Sequence, residues 1–161
     1  MVRAFAAWVL IIAAETVHGV LRQLLVIDFN PVILAELKSR AIKCLYGDVA
    51  HMDTLHHAHI HSAKLVVCTI SDAILRGTTN LRLLRQARRL CPNAQVIAAA
   101  DTISSALDLY EQGADFVYVA RLHAARYMAE RIAAAVHDEN GFKDCREDEI
   151  QSLKERQEVL K

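Results

Sequence analysis

Along the chain, short runs of apolar and β-branched residues alternate with longer stretches in which apolar positions recur every three or four residues. That alternation is the pattern of βαβ units feeding a parallel sheet. Strands are expected at 24–28, 42–46, 64–70, 95–100 and 116–119. The run Leu65-Val66-Val67-Cys68-Thr69-Ile70 has no polar face. Such a strand is covered by helices on both sides, which places it near the centre of the sheet.

Helix signals fill the intervals. Asn30 followed by Pro31 supplies an N-cap and a proline at the first helical position, and Ile33, Leu34 and Leu37 then line one side. Asp72 is expected to open a long helix whose Leu81, Leu84, Ala87 and Cys91 repeat at helical spacing until Pro92 and Asn93 end it. Asp101 or Thr102 caps a third helix, with Ile103, Ala106, Leu107 and Tyr110 as its inward stripe and Gly113 as its left-handed stop.

Residues 4–18 admit three readings. A parallel strand over 8–14 leaves nine residues to reach Leu24, fewer than the about 10–12 that a βαβ crossover needs. A helix over 4–18, stopped by Gly19, leaves the sheet without its central strand. An antiparallel pairing of 8–14 with 24–28 fills the gap at the cost of an unusual topology. The helix reading is favoured, so the first strand is expected to be missing or replaced.

Composition narrows the picture. The 161 residues, 53% hydrophobic and 24% charged, fit one compact domain with an appended tail. Five glycines and two prolines exclude collagen-like and low-complexity chains. Nineteen basic and nineteen acidic residues cancel, so nothing global draws the chain to nucleic acid or to anionic membrane, and any charged site must be local. Cys44, Cys68, Cys91 and Cys145 form no C-x-x-C pair, which fits a reducing compartment.

The longest apolar run, 4–14, has eleven residues, whereas a membrane-spanning helix takes about twenty. No direct membrane insertion is expected. Preceded by Met1-Val2-Arg3, the run mimics a short signal peptide, but nothing downstream has the character of a secreted protein. Eleven of the twenty residues in 142–161 are charged, with Ile150, Leu153 and Leu160 as a thin apolar seam. The expected organisation is an atypical N-terminal segment over 1–22, an α/β domain over 23–136, and a charged helical tail over 137–161 that follows a loop at 137–141.

A parallel sheet gathers its loops and acidic side chains at the strand C-termini, where nucleotides usually bind. Asp28 ends the strand Leu-Leu-Val-Ile-Asp and can accept both hydroxyls of an adenosine ribose; it is equally a turn acid before the Asn30 cap. Gly47 and Asp48 end the next strand and could admit a base and meet its polar edge, or form a simple turn. Ser71 and Asp72 follow the third and could face a phosphate or ribose, or only cap a helix.

Several segments together carry a resemblance. Leu-Leu-Val-Ile-Asp-Phe-Asn-Pro at 24–31, Tyr-Gly-Asp-Val at 46–49, Leu-Val-Val-Cys-Thr-Ile-Ser-Asp at 65–72, Thr-Asn-Leu at 79–81 and Gln-Gly-Ala-Asp-Phe at 112–116 stand in the order and spacing of the RCK N-terminal domain. That domain is the Trk/Kef-type regulatory module of potassium channels and transporters. Gly-Thr-Thr-Asn-Leu at 77–81 with Arg-Leu-His-Ala-Ala at 121–125 looks most like the domain fused to Kef-type cation/proton antiporters.

The resemblance, which covers residues 20–135, implies a Rossmann-like, doubly wound parallel sheet that binds NAD(H) or another adenine nucleotide and passes its occupancy to a membrane cation transporter. By position, Asp28 takes the ribose, Gly47, Asp48 and Val49 the adenine edge, and Ser71 the far side of the crevice. Asn80 falls on the following helix, and Arg121 with His123 in the loop after the last strand.

One part of the family pattern is missing. Its G-x-G-x-x-G turn should precede the ribose carboxylate by about twenty residues, where this chain has Phe5, Ala6, Ala7, Trp8, Val9 and Leu10; no glycine occurs before Gly19. Weakened nucleotide binding is therefore expected.

Other signals carry less. His51, His56, His57, His59 and His61 could supply imidazoles to a metal, but Leu55, Ala58, Ile60 and Ala63 take the apolar positions and leave the histidines on the wet side. Arg76, Arg82, Arg85, Arg88 and Arg89 crowd one helix without interleaved aromatics, which reads as a solvated or subunit-pairing face and not as a nucleic-acid site. No nucleophile, base and orienter set is recognisable. The expected function is a non-enzymatic, cytoplasmic regulatory domain at the inner face of the membrane, paired as a homodimer; the alternatives are a stand-alone NAD(P)-binding oxidoreductase and a purely structural assembly domain.

Overall fold

The computed structural model describes residues 2–5, 24–136 and 142–155. They divide into two units, Met1–Ala120 and Arg121–Lys161. The first is a six-stranded sheet, all of whose strands pair in parallel, in the order β3-β2-β1-β4-β5-β6. Its strands are β1 (Val2–Phe5), β2 (Leu24–Asp28), β3 (Lys43–Tyr46), β4 (Leu65–Cys68), β5 (Gln95–Ala99) and β6 (Phe116–Tyr118). This is the doubly wound order with its reversal at β1 and β4.

The central strand is present, which corrects the expectation that it is missing or replaced. Val2–Phe5 pairs with Leu24–Ile27 on one side and with Leu65–Cys68 on the other. Placing the strand at residues 2–5 leaves eighteen residues before Leu24, ample for a crossover of about 10–12. The helix reading therefore fails at its first two residues, 4 and 5, and the rest of that segment, 6–23, lies outside the described residues.

Helices connect the strands: α1 (Pro31–Ser39), α2 (Met52–His57), α3 (Asn80–Leu90) and α4 (Ile103–Glu111), with a 3-10 turn at Ile60–Ser62. Asn30 caps α1 as expected, its side chain accepting from the N–H of Val32, with Pro31 at the first helical position. Thr102 caps α4 in a reciprocal box with Ser105, and Gly113 follows with φ +90. The core is aliphatic: Val26, Ile27, Leu55, Ile60, Val66, Leu84 and Val96 are each no more than 1% exposed. Burial of Leu55, Ala58, Ile60 and Ala63 leaves His51, His56, His57, His59 and His61 exposed, as the pattern predicts.

Two helices differ from expectation. α3 begins at Asn80, capped by Thr79, and not at Asp72. On α4 the buried residues are Ala106 and Leu109, whereas Ile103, Leu107 and Tyr110 are exposed. Tyr110 has a separate task, its hydroxyl accepting the N–H of Val117 on β6 at 3.0 Å.

Arg88 departs furthest from a solvated side chain. Its guanidinium donates to Ala94 O, Gly113 O and Asp115 Oδ2, and Asp115 Oδ2 also accepts the Val96 N–H at 2.6 Å. One side chain thus ties α3 to the segments that enter both β5 and β6.

The second unit holds α5 (Ala120–Val136) and α6 (Lys143–Glu155), and the helical reading of the tail holds over the described residues. Tyr127, Met128, Arg131, Phe142, Arg146 and Glu149 line a groove of about 330 Å³ between them. Among the described residues no helix is long and apolar enough to cross a membrane.

Candidate functional site

Because all six strands run the same way, the residues that follow β2, β3, β4 and β5 share one edge of the sheet. Asp28 closes β2 and is 6% exposed. Its Oδ1 accepts the Asn30 N–H at 2.8 Å, and its backbone carbonyl accepts the Gly47 N–H at 3.1 Å. The bland role as a turn acid is therefore real, and it is filled by one oxygen only. Oδ2 has no partner among the described residues, so a hydroxyl donor can still reach the carboxylate.

Gly47 and Asp48 follow β3. A Cβ at position 47 would stand 2.5 Å from Thr54 Cγ2, so it is the packing of α2 that demands glycine here. Asp48 is exposed and accepts the Ala50 N–H at 2.8 Å, with His51 Nε2 at 3.7 Å. Val49 is 5% exposed and belongs to the core, which leaves only its main chain to meet a base.

Past β4, Ser71 donates its hydroxyl proton to Asp101 Oδ2 at 2.9 Å and accepts the Ala73 N–H at 3.1 Å. Asp101, which follows β5, thereby links the two loops on that side of the crevice. Asp72 Oδ1 takes the Asn80 N–H at 2.6 Å, and Asn80 Nδ2 donates to Ile70 O at 2.7 Å. Asn80 is fully buried. It braces the 70–79 loop and presents no atom to the crevice. Among the described residues, Thr78 Oγ1 in this loop and Asn80 Oδ1 at the start of α3 are buried without a partner.

Cys68 ends β4 beside this loop. Burial pushes its thiol up to about 12, reinforced by the Asp72 carboxylate and Cys91. A thiol held that firmly protonated is no nucleophile. Burial likewise raises Cys91, opposed by Arg88.

The topology thus brings Asp28, Gly47, Asp48, Val49 and Ser71 to one edge. It does not place Arg121 and His123 in a loop: both lie on the first turn of α5, in the second unit. Sequence reasoning missed Thr54, whose contact with Gly47 has no local signal, and Asp101, noted only as a possible cap. The arrangement is a row of hydrogen-bond acceptors suited to ligand hydroxyls and amines.

Known proteins supply the remaining comparison. YbaL of Escherichia coli (strain K12), a putative cation/proton antiporter, is 27% identical over 107 residues, 66% of this chain and 18% of its own length. The crystal structure of its TrkA-N domain, described as that of an inner membrane protein, superposes with a TM-score of 0.70 at 23% identity, covering 80% of this chain and 93% of the domain. KefC of Escherichia coli O139:H28 (strain E24377A / ETEC), a glutathione-regulated potassium-efflux system protein, is 28% identical over 93 residues, 58% of this chain and 14% of its own length. The GsuK channel bound to NAD matches with a TM-score of 0.60 at 20% identity over 74% of this chain and 21% of the channel. The chain therefore spans less than a fifth of the two curated relatives. The TrkA-N domain model matches residues 11–120, more than half of the sequence, and with the sheet order and the acidic crevice this establishes that the chain belongs to the TrkA-N domain family.

Proposed function

We propose that this domain is the nucleotide-sensing regulatory module of a potassium or cation/proton transport system, held at the cytoplasmic face of the membrane and acting as a homodimer without catalysis. The observation that carries the reading is Asp28: a buried carboxylate at the end of β2, beside the switch point, with one oxygen engaged by its own turn and the other open to a ribose. The GsuK channel, a protein of the same fold, is described with NAD bound, and the curated relatives are named as transport proteins. Ligand binding at such an edge biases a partner only through a difference in affinity between two placements of the paired domains.

The ligand we propose is an adenine nucleotide, NAD(H) included, bound weakly. β1 ends at Phe5, and the sequence that follows it, Ala6-Ala7-Trp8-Val9-Leu10, has none of the glycines that permit a backbone to approach pyrophosphate closely. Isothermal calorimetry with AMP, ATP and NADH tests both parts. The expected result is weak binding with no preference for the dinucleotide, and a further loss of about tenfold on Asp28→Asn, roughly one hydrogen bond to a charged acceptor. Micromolar NADH affinity overturns the weak-cradle part. No binding of any of the three overturns the nucleotide reading and leaves an assembly domain.

A further inference from the structure

We propose that His59 and His61 form a surface site for a divalent transition-metal ion of the copper, nickel and zinc group. Five of the chain's eight histidines lie within residues 51–61, in the connection from β3 to β4 that holds α2 and the 3-10 turn at Ile60–Ser62. Ala58, Ile60 and Ala63 are buried, whereas His59 and His61 are exposed on either side of Ile60. Their rings stand with centroids 5.7 Å apart and planes at 78°. Two imidazoles bound to one metal at about 2.0–2.1 Å have centroids about 5 Å apart, so a small rotation of two exposed side chains completes the pair. Neither ring takes part in an ion pair among the described residues. The backbone fixes where they start from. His59 holds φ 51 and ψ 44, a left-handed conformation unfavourable to a residue with a side chain. Hydrogen bonds pin it there: its N–H donates to His56 O at 2.9 Å, and its carbonyl accepts the Ser62 N–H at 3.1 Å and the Ser62 hydroxyl at 2.9 Å.

The donor set selects the ion. Imidazole nitrogen suits copper, nickel and zinc, whereas calcium and magnesium take oxygen ligands. Among the described residues no group of three or more His, Cys, Asp and Glu side chains is placed to hold a metal, so the pair is not the closed four-ligand cage of a structural zinc. Water completes the coordination, and the ion sits at an open site from which it exchanges. Of the neighbouring histidines, His51 is turned elsewhere, its Nε2 lying 3.7 Å from Asp48 Oδ2. With every strand parallel, the residues that lead into β4 lie at the opposite edge of the sheet from Asp28 and Ser71, which follow their strands. The metal reading therefore stands or falls independently of the nucleotide reading.

The test uses the full chain without an affinity tag, titrated with Ni(II), which does not oxidise the cysteines. Calorimetry is expected to show one ion bound per chain. His59→Asn, which keeps a residue tolerant of positive φ, and His61→Gln should each lower the affinity about tenfold or more, since even second-shell partners of a metal site are worth about 10–100-fold. His56→Gln/His57→Gln removes two exposed imidazoles from the same stretch and should bind as the unaltered chain does, with circular dichroism showing all the variants folded. In nuclear magnetic resonance spectra of the imidazole nitrogens, substoichiometric Ni(II) should broaden the His59 and His61 signals before those of the other histidines. Equal loss on removing His56 and His57, or broadening that begins elsewhere, overturns the inference in favour of diffuse binding by a histidine-rich surface. No binding overturns it too, and leaves the two rings as an edge-to-face contact only.

Discussion

A single missing methyl group at position 47 shows how a residue can be read correctly as glycine-requiring and for the wrong reason. The sequence suggests room for a base; the structure fills that room with Thr54, whose Cγ2 would lie 2.5 Å from an added Cβ. Gly47→Ala should therefore destabilise the fold by about 1–3 kcal/mol, the usual range for overpacking. Adding Thr54→Ala should recover part of that loss in a double-mutant cycle read by urea denaturation; additive effects would refute the clash. Asp28 was legible because a carboxylate closing an apolar strand is a local pattern. Asn80 was not, since its bonds to Ile70 and Asp72 span eight to ten residues. Asp72 does satisfy the first N–H of α3, as a helix-opening acid should, but from across a loop.

At the scale of elements, the pattern announced α1, α3, α4 and α6 but not α2 or α5, and it misjudged what two helices present. Ile103, Leu107 and Tyr110 form one stripe at helical spacing; Ala106 and Leu109 form another beside it. The pattern favours the larger residues, while the sheet edge accepts the smaller ones. The arginine row on α3 likewise hid one member that is not solvated. Arg88 holds Ala94, Gly113 and Asp115 together, and Arg88→Met should cost on the order of 1 kcal/mol, since one part-buried and two exposed acceptors lose a charged donor that solvent partly screens.

The same knot sets a pH dependence. The Val96 N–H first, with the Arg88 side chain beside it, holds the Asp115 carboxyl below the usual carboxylate range against the opposing effect of burial. A lowered folded value means the stabilisation is complete above the unfolded value of about 4 and disappears as pH falls through the folded one. Asp115→Asn should flatten that acid limb in thermal melts taken from neutral pH downward. An unchanged limb would show that other carboxylates set it.

For the whole molecule, the repeated strand-and-helix rhythm made the doubly wound sheet legible, and the family resemblance agreed. What the rhythm could not place was β1, four residues at the start of an eleven-residue apolar run's flank. A strand paired on both sides needs no length or polar alternation to announce it, because its partners β2 and β4 supply the register. The charge balance, neutral overall, likewise concealed a molecule with a one-signed helix face on α3.

The Tyr110 hydroxyl has a consequence at this scale. β6 ends the sheet, and the N–H groups on the outer side of a terminal strand are templates on which foreign strands can grow. By taking the Val117 N–H, the phenol occupies the middle rung of a three-residue border and denies it to an incoming chain. Tyr110→Phe keeps the ring and removes only that acceptor. It should leave the melting temperature within a few degrees while raising thioflavin-positive aggregation on prolonged incubation, and an unchanged aggregation rate would show that the border is guarded by its brevity alone. One oxygen atom thus separates a sheet that stops from one that can be extended.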